Sequence, residues 1–157
     1  MELYGERGFE QTTVAEIATR AGLNERTFFR HFADKREVLF SGSAMLTAAL
    51  MKSVADAPGA ARPIDVIGAA VEVAGALLQP RHELARYRQA IIDANPELQE
   101  RELIKLASLA SALAAALRQR GVSDPAASLA AEAGVAVFKI AFDRWINESG
   151  TADLPSV

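Results

Sequence analysis

Residues 13–39, TVAEIATRAGLNERTFFRHFADKREVL, decide how this chain reads. Thr13 to Ala21 is a short amphipathic helix, because Val14, Ile17, Ala18 and Ala21 recur at i, i+3, i+4, i+7 and share one face. Gly22-Leu23 then supplies a turn: glycine accepts the positive φ that ends a helix, and Leu23 is placed to plug the core between two helices. Asn24 offers an N-cap for a second helix through His31, with Phe28 and Phe32 inward at i, i+4. Glu25, Arg26, Thr27, Phe29, Arg30 and His31 remain outward. Guanidiniums, a hydroxyl and an imidazole on the free face of a short helix suit phosphate and base-edge contacts, so the stretch predicts a helix-turn-helix unit that docks on DNA.

The order T-x-x-x-I-A-x-x-A-G-L-N-x-x-T-F-F-x-H-F-x-D-K-x-x-V-L resembles the DNA-binding domain of TetR-type (TetR/AcrR) transcriptional regulators. The resemblance opens at Leu3-Tyr4-Gly5-Glu6-Arg7-Gly8-Phe9, which is similar to the end of that family's first helix, and runs without a gap to about Phe40. Helix boundaries, turn glycine and the Phe32-x-x-Lys35 spacing all coincide. It implies that Thr13 donates its hydroxyl or backbone N–H to a phosphate, and that Thr27, Arg30 and His31 lie on a recognition helix in the major groove. It places Lys35 in the first turn of a fourth helix, against the DNA backbone. Arg26 stands where the family often has a small residue and adds a base or phosphate contact. Phe29 stands where it often has Tyr, so sugar or a thymine methyl replaces the hydroxyl-to-phosphate bond. His31 also fits a helix-end histidine that meets the last carbonyls, a role compatible with the first. The resemblance further implies a first helix beginning before the position of Met1, shortened here to its last turn or two, Leu3 to Arg7.

Charge is focused, not general. The chain carries −3 overall, yet Arg20, Arg26, Arg30, Lys35 and Arg36 face only Glu25 and Asp34 between residues 20 and 36. Half of the 157 residues are hydrophobic and alanine is abundant, which favours helix over strand and provides an ample core. Without cysteine there is neither a disulfide framework nor thiolate chemistry. His31 and His82 are the only imidazoles, no Gly-rich phosphate loop occurs, and the acidic residues lack metal-ligand spacing. An enzyme, a metal site and a cofactor are therefore not expected. No signal peptide and no apolar run of about 18 residues stands out, so a soluble cytoplasmic protein without a membrane partner is expected.

The fold class predicted is all-α: a helix-turn-helix domain over 1–40, then an antiparallel helical regulatory and dimerisation domain over 41–157. A fourth helix reads from about Asp34 to Ala55, with Ser41-Gly42-Ser43 inside it as a hinge. After a loop at 57–63, a fifth runs Ile64 to Gln79, placing Ile64, Ile67, Val71, Ala74 and Leu78 inward. Pro80 starts a sixth, to Asn95. Pro96 opens a seventh, to Arg120, burying Leu103, Leu106, Leu109, Leu113 and Leu117, with Gly121 as its C-cap. An eighth, from Pro125 to about Asn147, is apolar nearly all round and so is expected to be buried on both sides.

The resemblance implies that the last two long helices pair with a twofold mate, where Ala130, Ala131 and Gly134 let backbones approach; a central helix of a monomer is the other reading. The polar tail beyond Asn147 is too short for the ninth helix the family usually supplies. The resemblance also implies an unidentified small-molecule inducer held inside the second domain. His82, Arg86, Tyr87, Ile91, Phe138, Phe142 and Trp145 are the candidate walls, with Arg88 and Gln89 as further polar groups. The function expected is a ligand-responsive repressor that binds a pseudo-palindromic DNA operator as a homodimer. The competing class is a helical module that binds a small molecule or protein and no longer binds DNA.

Overall fold

Side-chain caps fix the short helices at the N-terminal end. Helix α1 (Glu2–Arg7) stops at Gly8, whose φ of 83° is open to glycine. Helix α2 (Val14–Arg20) starts with a capping box: Thr13 Oγ1 accepts from the Glu16 N–H at 3.3 Å, and the Glu16 carboxylate accepts from the Thr13 N–H at 2.8 Å. Gly22, at φ 68°, reverses the chain, and the Leu23 N–H closes on the Ala18 carbonyl at 2.8 Å. Helix α3 (Glu25–His31) is capped by Asn24, whose Oδ1 accepts from the Thr27 N–H at 2.8 Å. Phe28 is buried as expected. Leu23 is not the plug foreseen: it is 44% exposed, because the turn leaves it outside the angle where α2 meets α3.

The computed structural model describes residues 1–148, all helix, turn and coil, with no strand among them. The reading of the tail as too short for a ninth helix falls, from residue 149 on, outside the described residues.

The fourth helix does not begin at Asp34. The Asp34 carboxylate accepts from the Arg36 and Glu37 N–H groups and sets a 3₁₀ turn over Lys35–Val38 instead. This tighter turn carries Leu39 and Phe40 into the core, and α4 (Ser43–Asp56) starts after them. Ser41-Gly42-Ser43 therefore lies at the head of α4, not within it. Helices α5 (Pro63–Leu78), α6 (His82–Asp93), α7 (Pro96–Gln119) and α8 (Asp124–Asn147) complete the chain. Pro80 belongs to a 3₁₀ turn over Gln79–Arg81 that precedes α6. Proline opens α5 and α7, where no N–H is needed. Gly121, at φ 85°, turns the chain from α7 back along α8.

Helices α4, α5, α7 and α8 share one core, centred on Leu50, Ile67, Leu113 and Leu117. Arg120, just past α7, caps the end of α4 by donating to the carbonyls of Val54, Ala57 and Pro58 at 3.0, 2.9 and 2.8 Å. Ala130, Ala131 and Gly134 are buried within the one chain, where the two alanines belong to this core. A Cβ on Gly134 would run into Ile67 Cγ2, so glycine there lets α8 lie against α5. The other side of α8 is not buried within the chain: Leu129, Val137 and Ile140 are 72%, 58% and 62% exposed. Ile64 and Leu103, expected inward, also face out. Contrary to expectation, Pro63–Asp93 and Asp124–Asn147 reach the length and mean hydropathy of a membrane span. Here they are bundle helices, burying Ile67, Ala70, Ala74 and Ala127, Ala131, Val135 in the shared core.

A second cluster crosses the division expected at residue 40. Tyr4, Phe9, Leu39 and Phe40 pack with Ile91 and Ile92 of α6 and Leu98 of α7. The short α1 thus completes its core on α6 and α7.

Candidate nucleic-acid interface

The arginines of the N-terminal unit divide into two groups. Arg7 pairs with Glu16 at 2.5 Å, Arg20 with Glu2 and Glu6 at 3.1 Å each, and Arg36 with Asp34 at 2.6 Å. Arg26 and Arg30, on α3, meet no carboxylate among the described residues. Arg30 instead lies 3.5 Å from His31 Nε2. Phe29 stands between them in sequence, 54% exposed and edge-on to the buried Phe28. Uncompensated cations are therefore gathered on one exposed helix, with an apolar ring beside them. An anionic backbone could take the cations and a thymine methyl the ring.

Other predicted contact residues are already engaged. Thr13 gives both its N–H and its hydroxyl to Glu16, at 2.8 and 2.9 Å. That backbone bond, followed by the Thr13 hydroxyl and then the charge of Arg7, holds the Glu16 carboxyl below the ordinary carboxylate range. A phosphate at this helix start must displace Glu16. Thr27 is half-buried, with its N–H held by Asn24.

Lys35 is not in a fourth helix and does not point to solvent. Its ammonium donates to the carbonyls of Phe9, Glu10 and Thr12 at 2.9, 3.1 and 3.1 Å and lies 4.4 Å from the Phe9 ring centre. The loop after α1 ends in carbonyls that need donors, and Lys35 supplies them. Arg26, Phe29, Arg30 and His31 are thus brought together on α3, Thr13 sits at the start of α2, and Lys35 is drawn inward.

A cavity of about 510 Å³ lies between α4, the α5–α6 corner, α7 and α8. Of the predicted walls it collects Phe138 and Phe142, together with Arg88 and Gln89. The rest lie elsewhere. His82 Nε2 sits 2.9 Å from the Trp145 carbonyl oxygen, with the rings 4.7 Å apart, in a separate cluster. The buried Trp145 indole N–H has no partner among the described residues. Tyr87 rests on α1, its hydroxyl occupying the space a side chain on Gly5 would need. Ile91 belongs to the cluster shared with the reading head, and Arg86 is exposed outside the cavity. The wall on this side is Arg81, Leu84, Ala85 and Arg88, an i, i+3, i+4, i+7 stripe. That periodicity could have found it. The 39–43 linker also lines the cavity, which the expectation of an unbroken helix concealed.

Polar groups connect this cavity to the N-terminal helical unit. Arg88 Nε donates to the Leu39 carbonyl at 2.8 Å, Nη1 reaches Glu102 at 3.2 Å, and the guanidinium lies 4.9 Å from the Phe40 ring centre. Gln89 donates to Glu102 and Asp93 at 3.0 Å each. Burial lowers the Arg88 pKa, opposed by Glu102. Glu37 accepts from Arg101 and, at 2.9 Å, from Lys105 of α7. Burial acts to raise the Glu37 carboxyl, but the hydrogen bonds from Lys105 and Arg101 outweigh it and hold it below the ordinary range.

Residues 1–41 match the family model of bacterial regulatory proteins, tetR family. The HTH-type transcriptional regulator TcmR of Streptomyces glaucescens is 34% identical over 70 residues, which are 45% of this chain and 31% of that protein. The match thus spans about a third of the relative's length. The crystal structure of a TetR family transcriptional regulator, PfmR from Thermus thermophilus, superposes with a TM-score of 0.52 at 21% identity, covering 99% of this chain and 87% of that one. It shares the fold: a small N-terminal helical unit on a larger helical domain. The N-terminal residues are thus similar to the tetR family of bacterial regulatory proteins, and the whole chain shares the fold of a TetR family regulator.

Proposed function

We propose that this chain is a DNA-binding transcriptional regulator, a ligand-responsive repressor that reads a pseudo-palindromic operator as a cytoplasmic homodimer. The observation that carries the reading is the unpaired state of Arg26 and Arg30 on the exposed α3, beside Phe29, while Arg7, Arg20 and Arg36 are neutralised. Phosphates would complete those charges, and a guanidinium is suited to bidentate readout of guanine. The open stripe Leu129, Val137 and Ile140 on α8 favours pairing with a second copy. Such a pair would present two recognition helices about 34 Å apart, one turn of DNA. The cavity, walled by the linker and by Arg88, suits an inducer whose binding biases the position of the reading head.

The test is salt-dependent binding of the chain to DNA from its own upstream region, against unrelated DNA. Specific binding that falls steeply with salt is the expected result. Equal, weak binding to both would leave a helical ligand-binding module as the better description.

A further inference from the structure

We infer, resting on the reading of the cavity as the inducer site, that its ligand is an amphipathic organic anion whose single acidic head is met by Arg81. The cavity wall is mainly apolar, with Leu46, Leu106, Phe138 and Phe142 among its side chains. Its charged groups are unequal in number: Arg81, Arg88, Lys105 and Lys139 against Glu102 and Asp143. Both carboxylates are already satisfied. Glu102 accepts from Arg88 at 3.2 Å, and Asp143 pairs with Lys139 at 3.0 Å. Lys105 is held by Glu37 at 2.9 Å. Arg81 alone among these cations has no hydrogen bond or ion pair among the described residues.

These pairings rank the possible ligand classes. A cationic amphiphile would have to break an existing ion pair to find a counter-charge. A neutral one would fill the apolar volume and leave Arg81 unanswered. An anion completes Arg81, and Arg88 of α6, seven residues on, lines the same cavity as a second cation. A volume of about 510 Å³ is within the ordinary range for a small organic ligand. The head group would therefore sit at the start of the helix whose Arg88 holds the Leu39 carbonyl.

The experiment is calorimetry of the full chain with decanoate, decanol and decyltrimethylammonium, each below its micellar concentration, repeated on Arg81→Gln and Leu46→Trp. Expected is binding of decanoate roughly tenfold or more tighter than the other two, the preference lost in Arg81→Gln and all binding lost in Leu46→Trp, whose indole fills the cavity. Equal affinity for the three probes, or a preference for the alcohol or the cation, overturns the anion class while the cavity stands as a binding site. A preference for decanoate that survives Arg81→Gln overturns the assignment to Arg81. Binding of none of the probes, or binding undiminished in a folded Leu46→Trp, overturns the cavity reading itself. Arg81 is exposed, so its variant remains informative even where the filled cavity impairs folding.

Discussion

Arg88 Nε donates to the carbonyl oxygen of Leu39 at 2.8 Å, so a residue of the cavity wall directly holds the last turn of the reading head. The same guanidinium stacks on Phe40 and pairs with Glu102. Anything that occupies the cavity therefore shares side chains with the 39–43 linker. A ligand shifts the head only insofar as it binds the two arrangements differently, and this contact gives it a means to do so.

Replacing Arg88 by Met keeps the stem but removes its bonds to Leu39, Gln89 and Glu102 and its contact with the Phe40 ring, and leaves the Leu39 carbonyl and Glu102 short of a donor. The guanidinium keeps partial contact with water, so the cost is expected at about 1–3 kcal/mol, below that of a fully buried pair. A lower urea midpoint at unchanged m-value checks it. Amide exchange in residues 2–40 should quicken more than in α5, since the lost bond holds the head in particular.

Glu37 ties the head to α7 through Arg101 and Lys105. Its carboxyl is held below its ordinary pKa, so the pair's contribution is complete above the unfolded carboxylate range, about pH 4.3, and is lost as pH falls through the lower folded value. Glu37→Gln should lower the melting temperature near neutral pH and approach the wild type as the medium becomes acid. A gap between the two proteins that stays constant from pH 7 to acid would show that charge is not what holds the head.

Much of this was legible in the sequence, and the remainder has identifiable causes. Capping residues act over a few positions, so Thr13, Asn24, Gly22 and Gly121 marked their helix ends correctly. Lys35 misled because an exposed-looking lysine after a cap gives no sign of three carbonyls some 25 residues away in sequence. The cavity was largely misplaced because aromatic content was read in place of helical phase. His82, Tyr87 and Ile91 lie on faces of α6 that meet Trp145, α1 and the head's core. Leu23, expected to plug the turn, and Ile64 and Leu103, the first residues of inward helical stripes, face out, as apolar residues commonly do on protein surfaces.

Arg26 and Arg30 should separate on DNA. Each lacks an acidic partner among the described residues, so replacing either by Ala leaves no orphaned carboxylate there and little loss of stability is expected. An arginine on phosphate should weaken binding to all sequences alike and reduce the salt slope by about one. One that reads a base should cost about 1–3 kcal/mol at one operator position and relax the choice there. Titrations of both variants at several salt concentrations, on matched and singly substituted operators, distinguish the two roles.

The two sides of α8 should respond differently to substitution. Gly134 faces Ile67 so closely that Gly134→Ala forces α5 and α8 apart, at a cost of about 1–3 kcal/mol. Ile67→Ala itself costs stability as a fully buried truncation, but in its background Gly134→Ala should cost less, since the methyl in the way is gone. Val137 lies three residues on from Gly134 and is 58% exposed on the stripe with Leu129 and Ile140. Val137→Glu adds a charge to that stripe without entering the core, so helix content and unfolding midpoint at low protein concentration should hold while sedimentation shifts toward monomer. Were Val137→Glu to sediment as the wild type and Gly134→Ala to dissociate it, the association surface would lie on the face of α8 that this fold assigns to the core.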